Sequence, residues 1–294
     1  MLFRKDGTAQ GVAKQRLIES IAEPEKRVIN DPYADCFVRG ANVIKCIGHS
    51  TNVWLASKLV PGLHEHLIAR TRAIDDLTKE CAAAGATQLV ILGAGYDMRA
   101  YRLDLPESLT IFEVDQIEVQ ELKKSRMPPE LLASGRASYV SVDFNTQTLS
   151  EQLTNAGFEV GKSTLVILEG VTQYIPKEAA AATLSEVGAL CGKGSTLFVS
   201  YVDQLLETDP AAVCGPGYPV DKLKLITWGA AKVGEPWISY YEPAEMRTLL
   251  ASSSFALASD TTIADCNAAY FGAVGRELPQ EQLMMLEHFA VAKK

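Results

Sequence analysis

A doubly wound α/β fold is predicted by three features of the 294-residue sequence: short apolar runs alternating with helix-like segments, a glycine turn closing the first run, and acids closing the next ones. The runs are TQLVILGAG (87–95), SLTIFEVD (108–115), ASYVSVDF (137–144), STLVILEG (163–170), STLFVSYVD (195–203), FALASD (255–260) and LEHFAVAKK (286–294). Each is bounded by turn-forming residues, as strands are. Between them, DQIEVQELKKSR, TQTLSEQLTNAG and KEAAAATLSEVGALCG place apolar residues at helical spacing. Two of these end at a glycine suited to a left-handed cap.

The first 84 residues read differently. AQGVAKQRLIES is amphipathic, NDPYA is a turn, and helical patterning continues through VWLASKLVPGLHEHLIARTRAIDDLTKECAAAG, which predicts a helical cap over 1–84 and a core over 85–294. Residues 204–245, rich in Gly and Pro and carrying Tyr218, Trp228, Trp237, Tyr240 and Tyr241, read as an insertion of loops around a short helix, a candidate lid.

Composition excludes several classes. A hydrophobic content of 47% supports a sizeable core, while a net charge of -8 with scattered basic residues gives no stripe for a phosphate backbone, so nucleic acid is not an expected partner. No run approaches the length of a membrane span and the opening MLFRKDGTAQ has no apolar signal core, which points to a cytoplasmic protein without a membrane partner. The six cysteines lie far apart without a CxxC pair and read as reduced, mostly buried thiols. HEH at 64–66 has metal-like composition, but a spacing of two puts the rings on different helix faces and no third ligand is evident, so no metal site is expected.

The strand ends carry the chemistry. Gly93, Ala94 and Gly95 open a turn in which a ligand can approach the backbone, with a following helix expected to aim its N–H groups at an anion. A dinucleotide fingerprint wants a small residue three positions after the second glycine, where this chain has Met98, which counts against NAD. Asp115 closes the second run, where a ribose diol is gripped by a carboxylate. Asp143 and Phe144 close the third, an acid for an exocyclic amine beside a ring for stacking, and Glu169 with Gly170 close the fourth. Such a series suits a ligand with a ribose, an adenine and a positively charged amino-acid tail.

The stretches ARTRAIDD, LVILGAGYDMRAYRL, FEVD, VDF and LEGVTQYIP resemble the leucine carboxyl methyltransferase family, including its bacterial branch of S-adenosylmethionine-dependent O-methyltransferases. TAQGVAKQRLIES, NDPYADCF, GEPW and LEHFAVAKK are similar as well, so the resemblance covers nearly the whole chain. It implies a Rossmann-like seven-stranded class I methyltransferase sheet whose last strand is antiparallel, with an N-terminal helical cap. It implies S-adenosylmethionine as cofactor and no metal. By position it places Arg70 on the methionine carboxylate, Gly93 along the same tail, Asp115 at the ribose, Asp143 with Phe144 at the adenine, and Glu169 near the methionyl amino group. Ala94, Gly95, Gln116 and Gly170 complete the expected cofactor set.

For the acceptor, the resemblance points to Tyr174 and Lys14. Family members that methylate protein phosphatases carry an arginine after the third-strand acid and its neighbour; this chain has Asn145, a departure that favours the bacterial branch, with its enzymes of polyketide tailoring. The expected partner is therefore a small molecule carrying a carboxylate or hydroxyl. The alternatives are methylation of a C-terminal leucine carboxylate on a protein and a cofactor-binding protein without turnover. A carboxylate acceptor is ionised at neutral pH and needs no general base. A hydroxyl would need one, and His49, His64, His66 and His288 are the only histidines.

Overall fold

Gln88, Leu89, Val90, Ile91 and Leu92 are all buried, the mark of a parallel strand covered on both faces, and they form the first strand at the centre of the sheet. In the computed structural model, which describes residues 7–143 and 146–294, helices α1 (Gly7–Ser20), α2 (Ala41–Ile47), α3 (His49–Leu59) and α4 (Leu63–Ala83) precede this strand, β1 (Gln88–Leu92). Then come α5 (Arg99–Arg102), β2 (Thr110–Asp115), α6 (Ile117–Arg126), α7 (Pro129–Ala133), β3 (Ser138–Ser141), α8 (Leu149–Asn155), β4 (Thr164–Leu168), α9 (Lys177–Leu190) and β5 (Thr196–Val202). There follow α10 (Leu205–Thr208), α11 (Lys224–Lys232), α12 (Pro243–Ser252), β6 (Ala256–Thr261), α13 (Ile263–Tyr270) and β7 (Glu287–Lys293). All seven predicted strands form.

The sheet order is β3-β2-β1-β4-β5-β7-β6. Parallel pairing joins β1 to β2 and β4, β2 to β3, and β4 to β5. Along β5 and β7 the numbering runs in opposite senses: Lys294 N–H donates to Ser195 O at one end and Asp203 N–H to Leu286 O at the other, at 3.0 and 2.8 Å. The last strand is antiparallel. With helical crossovers between parallel strands, this is the class I methyltransferase arrangement.

The chain divides into two compact units, one of Met1–Ala73, Asp203–Trp237 and Thr261–His288, the other of Ile74–Val202, Ile238–Asp260 and Phe289–Lys294. In the second, a single core runs from Val90, Phe112 and Val140 through Leu184 and Val199 to Tyr241, Leu250 and Ala292. The crossover helices end by different means: α8 is followed by Gly157 in the left-handed region (φ +95°), whereas α9 ends extended at Cys191. Gly192 is needed there for close approach, since a Cβ would lie 1.9 Å from Gly161 O.

In the first unit, charged and polar side chains tie separate segments. Arg16 pairs with Asp31 at 2.8 Å, Arg72 reaches Val28 O at 3.0 Å, and Asn267 exchanges two 2.9 Å hydrogen bonds with the Leu278 backbone. Tyr218, one of the aromatics of the 204–245 segment, is buried with its hydroxyl on Pro61 O at 2.9 Å; Trp228 is mostly exposed. The thiols depart from expectation: Cys191 is buried, Cys46 is exposed and the other four are intermediate, because only Cys191 faces a core cluster. Among the described residues, no helix is long and apolar enough to cross a membrane.

Candidate cofactor site at the sheet edge

Leu92 is level with Val114 on one side and with Leu168 on the other, and Asp115 is level with Ser141. The residues that follow these positions therefore share one edge: Asp143 after β3, Asp115 at the tip of β2, the glycine turn after β1, and Glu169 with Gly170 after β4. Four neighbouring strands span roughly 15 Å at ordinary strand spacing. That edge is where open α/β sheets hold ligands.

The turn is built for close approach. Gly93 is exposed and sits at φ +66°, and a Cβ there would lie 2.5 Å from Val171 Cγ2. Ala94 is buried and its N–H, like that of Gly93, donates to Val114 O. Gly95, at φ +47°, donates its N–H to Asp115 Oδ2 at 2.7 Å, while Asp115 Oδ1 accepts from Gln116 N–H at 2.7 Å. Gln116 itself is exposed.

One expectation needs correcting here. The helix after the turn is a single turn, α5, and its first N–H is taken by Asp97 Oδ1 at 2.6 Å, so it aims no free row of donors at an anion. It stops at Leu103, whose backbone is extended.

Glu169 lies in a charge network. Arg99 is buried; its guanidinium meets Glu169 at 2.8 Å, Asp75 at 2.8 Å and, closest, Asp97. Arg102 holds both oxygens of Asp75 at 2.6 Å. Burial works to raise the pKa of Asp75, but Arg102 and Arg99 outweigh it and hold the carboxyl below its ordinary value. Two guanidinium groups and three carboxylates meet in this set. Alongside it Lys123 bridges Asp97 O and Glu113, whose carboxyl burial pushes up to about 7 against the opposing pull of Lys123.

After Glu169, Gly170 (φ +62°) donates to Ser200 Oγ at 2.8 Å and Thr172 Oγ1 to Ser200 O at 2.9 Å. These bonds set the short 3-10 turn Thr172–Tyr174, on which Tyr174 is half-buried. Asp143 is exposed and accepts from Thr146 Oγ1 at 3.1 Å. Phe144 and Asn145 lie outside the described residues.

Arg70 and Lys14 belong to the other unit. Arg70 is buried on α4, its Nη1 2.8 Å from each oxygen of Glu287, which also meets His66 Nε2 at 2.7 Å. Lys14 is exposed on α1 and lines a surface depression of about 480 Å³ with Gln10, Val38, Arg39, Val43 and Ile44.

A sequence model of leucine carboxyl methyltransferases matches residues 9–188, more than half of the chain. The chain belongs to the leucine carboxyl methyltransferase family. A candidate S-adenosylmethionine-dependent methyltransferase of Mycolicibacterium smegmatis is 35% identical over 214 residues, 69% of each protein. Two solved structures share the fold. A protein described as a methyltransferase, from Thermobifida fusca, matches with TM-score 0.57 and 16% identity over 95% of this chain and 97% of that one. A DUF574 family protein from Streptomyces avermitilis matches with TM-score 0.58 and 17% identity over 96% and 97%. This leucine carboxyl methyltransferase family member is thus an S-adenosylmethionine-dependent methyltransferase in class. Its family motif holds residues that strand-end reasoning passed over: Asp97 and Arg99 in GAGYDMR, and Asp75 in RAIDD. The signal was a charged pair two residues apart inside an otherwise apolar stretch.

Proposed function

We propose that the chain transfers the methyl group of S-adenosylmethionine to an oxygen of a small-molecule acceptor, a carboxylate in the first place. The observation that supports this best is the sheet edge itself: a glycine turn and three acids, Asp143, Asp115 and Glu169, on neighbouring strands. A nicotinamide dinucleotide has no amino-acid tail for the acid after β4.

When bound, the cofactor supplies an electrophilic methyl on a sulfonium. Asp115 accepts the ribose hydroxyls, and because it already holds Gly95 it fixes the ribose against the turn. Asp143 accepts from the adenine amine. Gly93 leaves room for the methionyl tail, and Glu169 compensates the α-ammonium. Tyr174 orients the acceptor through its hydroxyl. For an ionised carboxylate the protein moves no proton; its work is orientation and exclusion of water.

Titration with S-adenosylhomocysteine tests the cofactor reading, and labelled methyl transfer to a panel of small carboxylic acids and phenols tests the reaction. A base-labile labelled ester is expected. Base-stable label would move the reaction to a hydroxyl, and absence of S-adenosylhomocysteine binding at high micromolar concentration would remove the reading altogether.

A further inference from the structure

Glu19, at the end of α1, is completely buried in the first unit, and its carboxylate is met from several segments. Oε1 accepts from Val28 N–H at 2.6 Å and from Arg276 Nη1 at 2.7 Å. Oε2 faces His64 Nε2 at 3.0 Å, His49 Nε2 at 3.4 Å and Arg276 Nη2 at 3.1 Å. Burial works to raise the pKa of Glu19, but hydrogen bonds from His49, His64 and Arg276 outweigh it and keep the group ionised.

We propose that Glu19, His49 and His64 form a binding site for a divalent transition metal, with zinc the ion their chemistry suits best. Two imidazoles and one carboxylate are a donor set zinc accepts, with a fourth position left for water. One donor atom from each residue lies within 4.8 Å of the other two. Donors about 2.0–2.1 Å from a tetrahedral zinc are roughly 3.3 Å apart. The observed separations of 3.0 and 3.4 Å from Glu19 Oε2 bracket that value.

The surroundings add the outer hydrogen bond that metal-binding histidines carry. Gln15 Oε1 is 2.9 Å from His64 Nδ1, placed to accept the ring proton there when Nε2 gives up its hydrogen bond to Glu19 and binds the ion. Arg276 Nη1 holds both Oε1 and Lys26 O, at 2.7 and 2.8 Å, so the guanidinium stays anchored when Oε2 turns from Nη2 to the ion. The side chain of His49 is 15% exposed while those of Glu19 and His64 are 0% and 1%, which makes the His49 side the route of entry. The ion would join α1, α3 and α4. His66, the histidine nearest to His64 in sequence, is committed to Glu287 instead. The proposal does not rest on the methyl-transfer reading.

Equilibrium dialysis of the full-length, tag-free protein in zinc-buffered solution at neutral pH, followed by metal analysis, should find one zinc per chain. Gln15→Leu should weaken zinc binding roughly 10- to 100-fold, as loss of an outer hydrogen bond does, and His49→Ala and His64→Ala by more. His288→Gln should bind like the unaltered protein. Cobalt titration of the unaltered protein needs no variant to fold: intense visible bands of tetrahedral cobalt are expected. Unaltered protein that takes up no zinc at micromolar free metal, cobalt spectra no stronger than the aqueous ion's, or uptake equal in the folded His49→Ala variant would each overturn the site.

Discussion

Gly95 donates its backbone N–H to Asp115 Oδ2 at 2.7 Å, so the acid at the tip of β2 holds the turn that closes β1. One carboxylate thereby sets both the shape of the cradle and the placement of a negative charge at its rim. Removing it has two separable effects, on the turn and on a bound ribose.

Asp115→Ala should lower S-adenosylhomocysteine affinity by about 30- to 1000-fold, the loss of about 2–4 kcal/mol in charge-assisted hydrogen bonds. Calorimetric titration reads this directly. Unchanged affinity in a folded variant would confine Asp115 to holding the turn.

Gly93→Ala should destabilise the protein by about 1–2 kcal/mol for a left-handed alanine, with a further cost from the contact with Val171. Adding Val171→Ala should remove the contact and leave the backbone cost. Urea unfolding of the two variants separates the terms; equal stability would show that the contact relaxes freely.

Arg99→Met leaves Asp97, Asp75 and Glu169 without their shared guanidinium and should cost about 3–5 kcal/mol, the effect of breaking a buried ion pair from one side. Arg99→Lys should recover only part, because an ammonium cannot reproduce the fork. Thermal unfolding of both checks the order.

Glu113 gives a pH dependence of definite sign. Its carboxyl is raised from 4.5 to about 7 in the fold, so the folded chain binds this proton more tightly than the unfolded one. The resulting stability is fully present below about pH 4.5, is lost as pH rises toward 7, and is constant above that. Denaturant midpoints of Glu113→Gln and the unaltered protein should differ in slope across that window, with the unaltered protein losing more as pH rises. Parallel curves would show that Lys123 keeps Glu113 ionised throughout.

Tyr174→Phe should leave S-adenosylhomocysteine affinity within twofold and slow turnover roughly tenfold or more, since only an acceptor-orienting hydroxyl is lost. An equal fall in both would place the hydroxyl on the cofactor instead.

The central strands were legible in the sequence because they are buried on both faces and read as continuous apolar runs; Gln88–Leu92 and Thr164–Leu168 show it best. The strand-end acids were legible for a related reason, since a polar residue that closes such a run must emerge at an edge. Arg99 was not, because a charged side chain in a short helix has the pattern of a solvated one, and its partners Asp75 and Glu169 are 24 and 70 positions away. Glu19 was hidden more deeply: its partners His49, His64 and Arg276 are 30, 45 and 257 positions distant, and no local period encodes such a meeting. The family resemblance supplied Arg70 and Tyr174, which strand-end reasoning alone would have passed over.

The order β5-β7-β6 has a consequence for biosynthesis. During translation β6 leaves the ribosome before β7, the only strand beside it in the sheet, so it must wait with both hydrogen-bonding edges open. Its sequence ALASDT, largely exposed even in the finished fold and carrying Asp260, is poorly suited to recruiting another chain during that interval. The sheet is complete only once the antiparallel strand, residues 287–293, lies between β5 and β6.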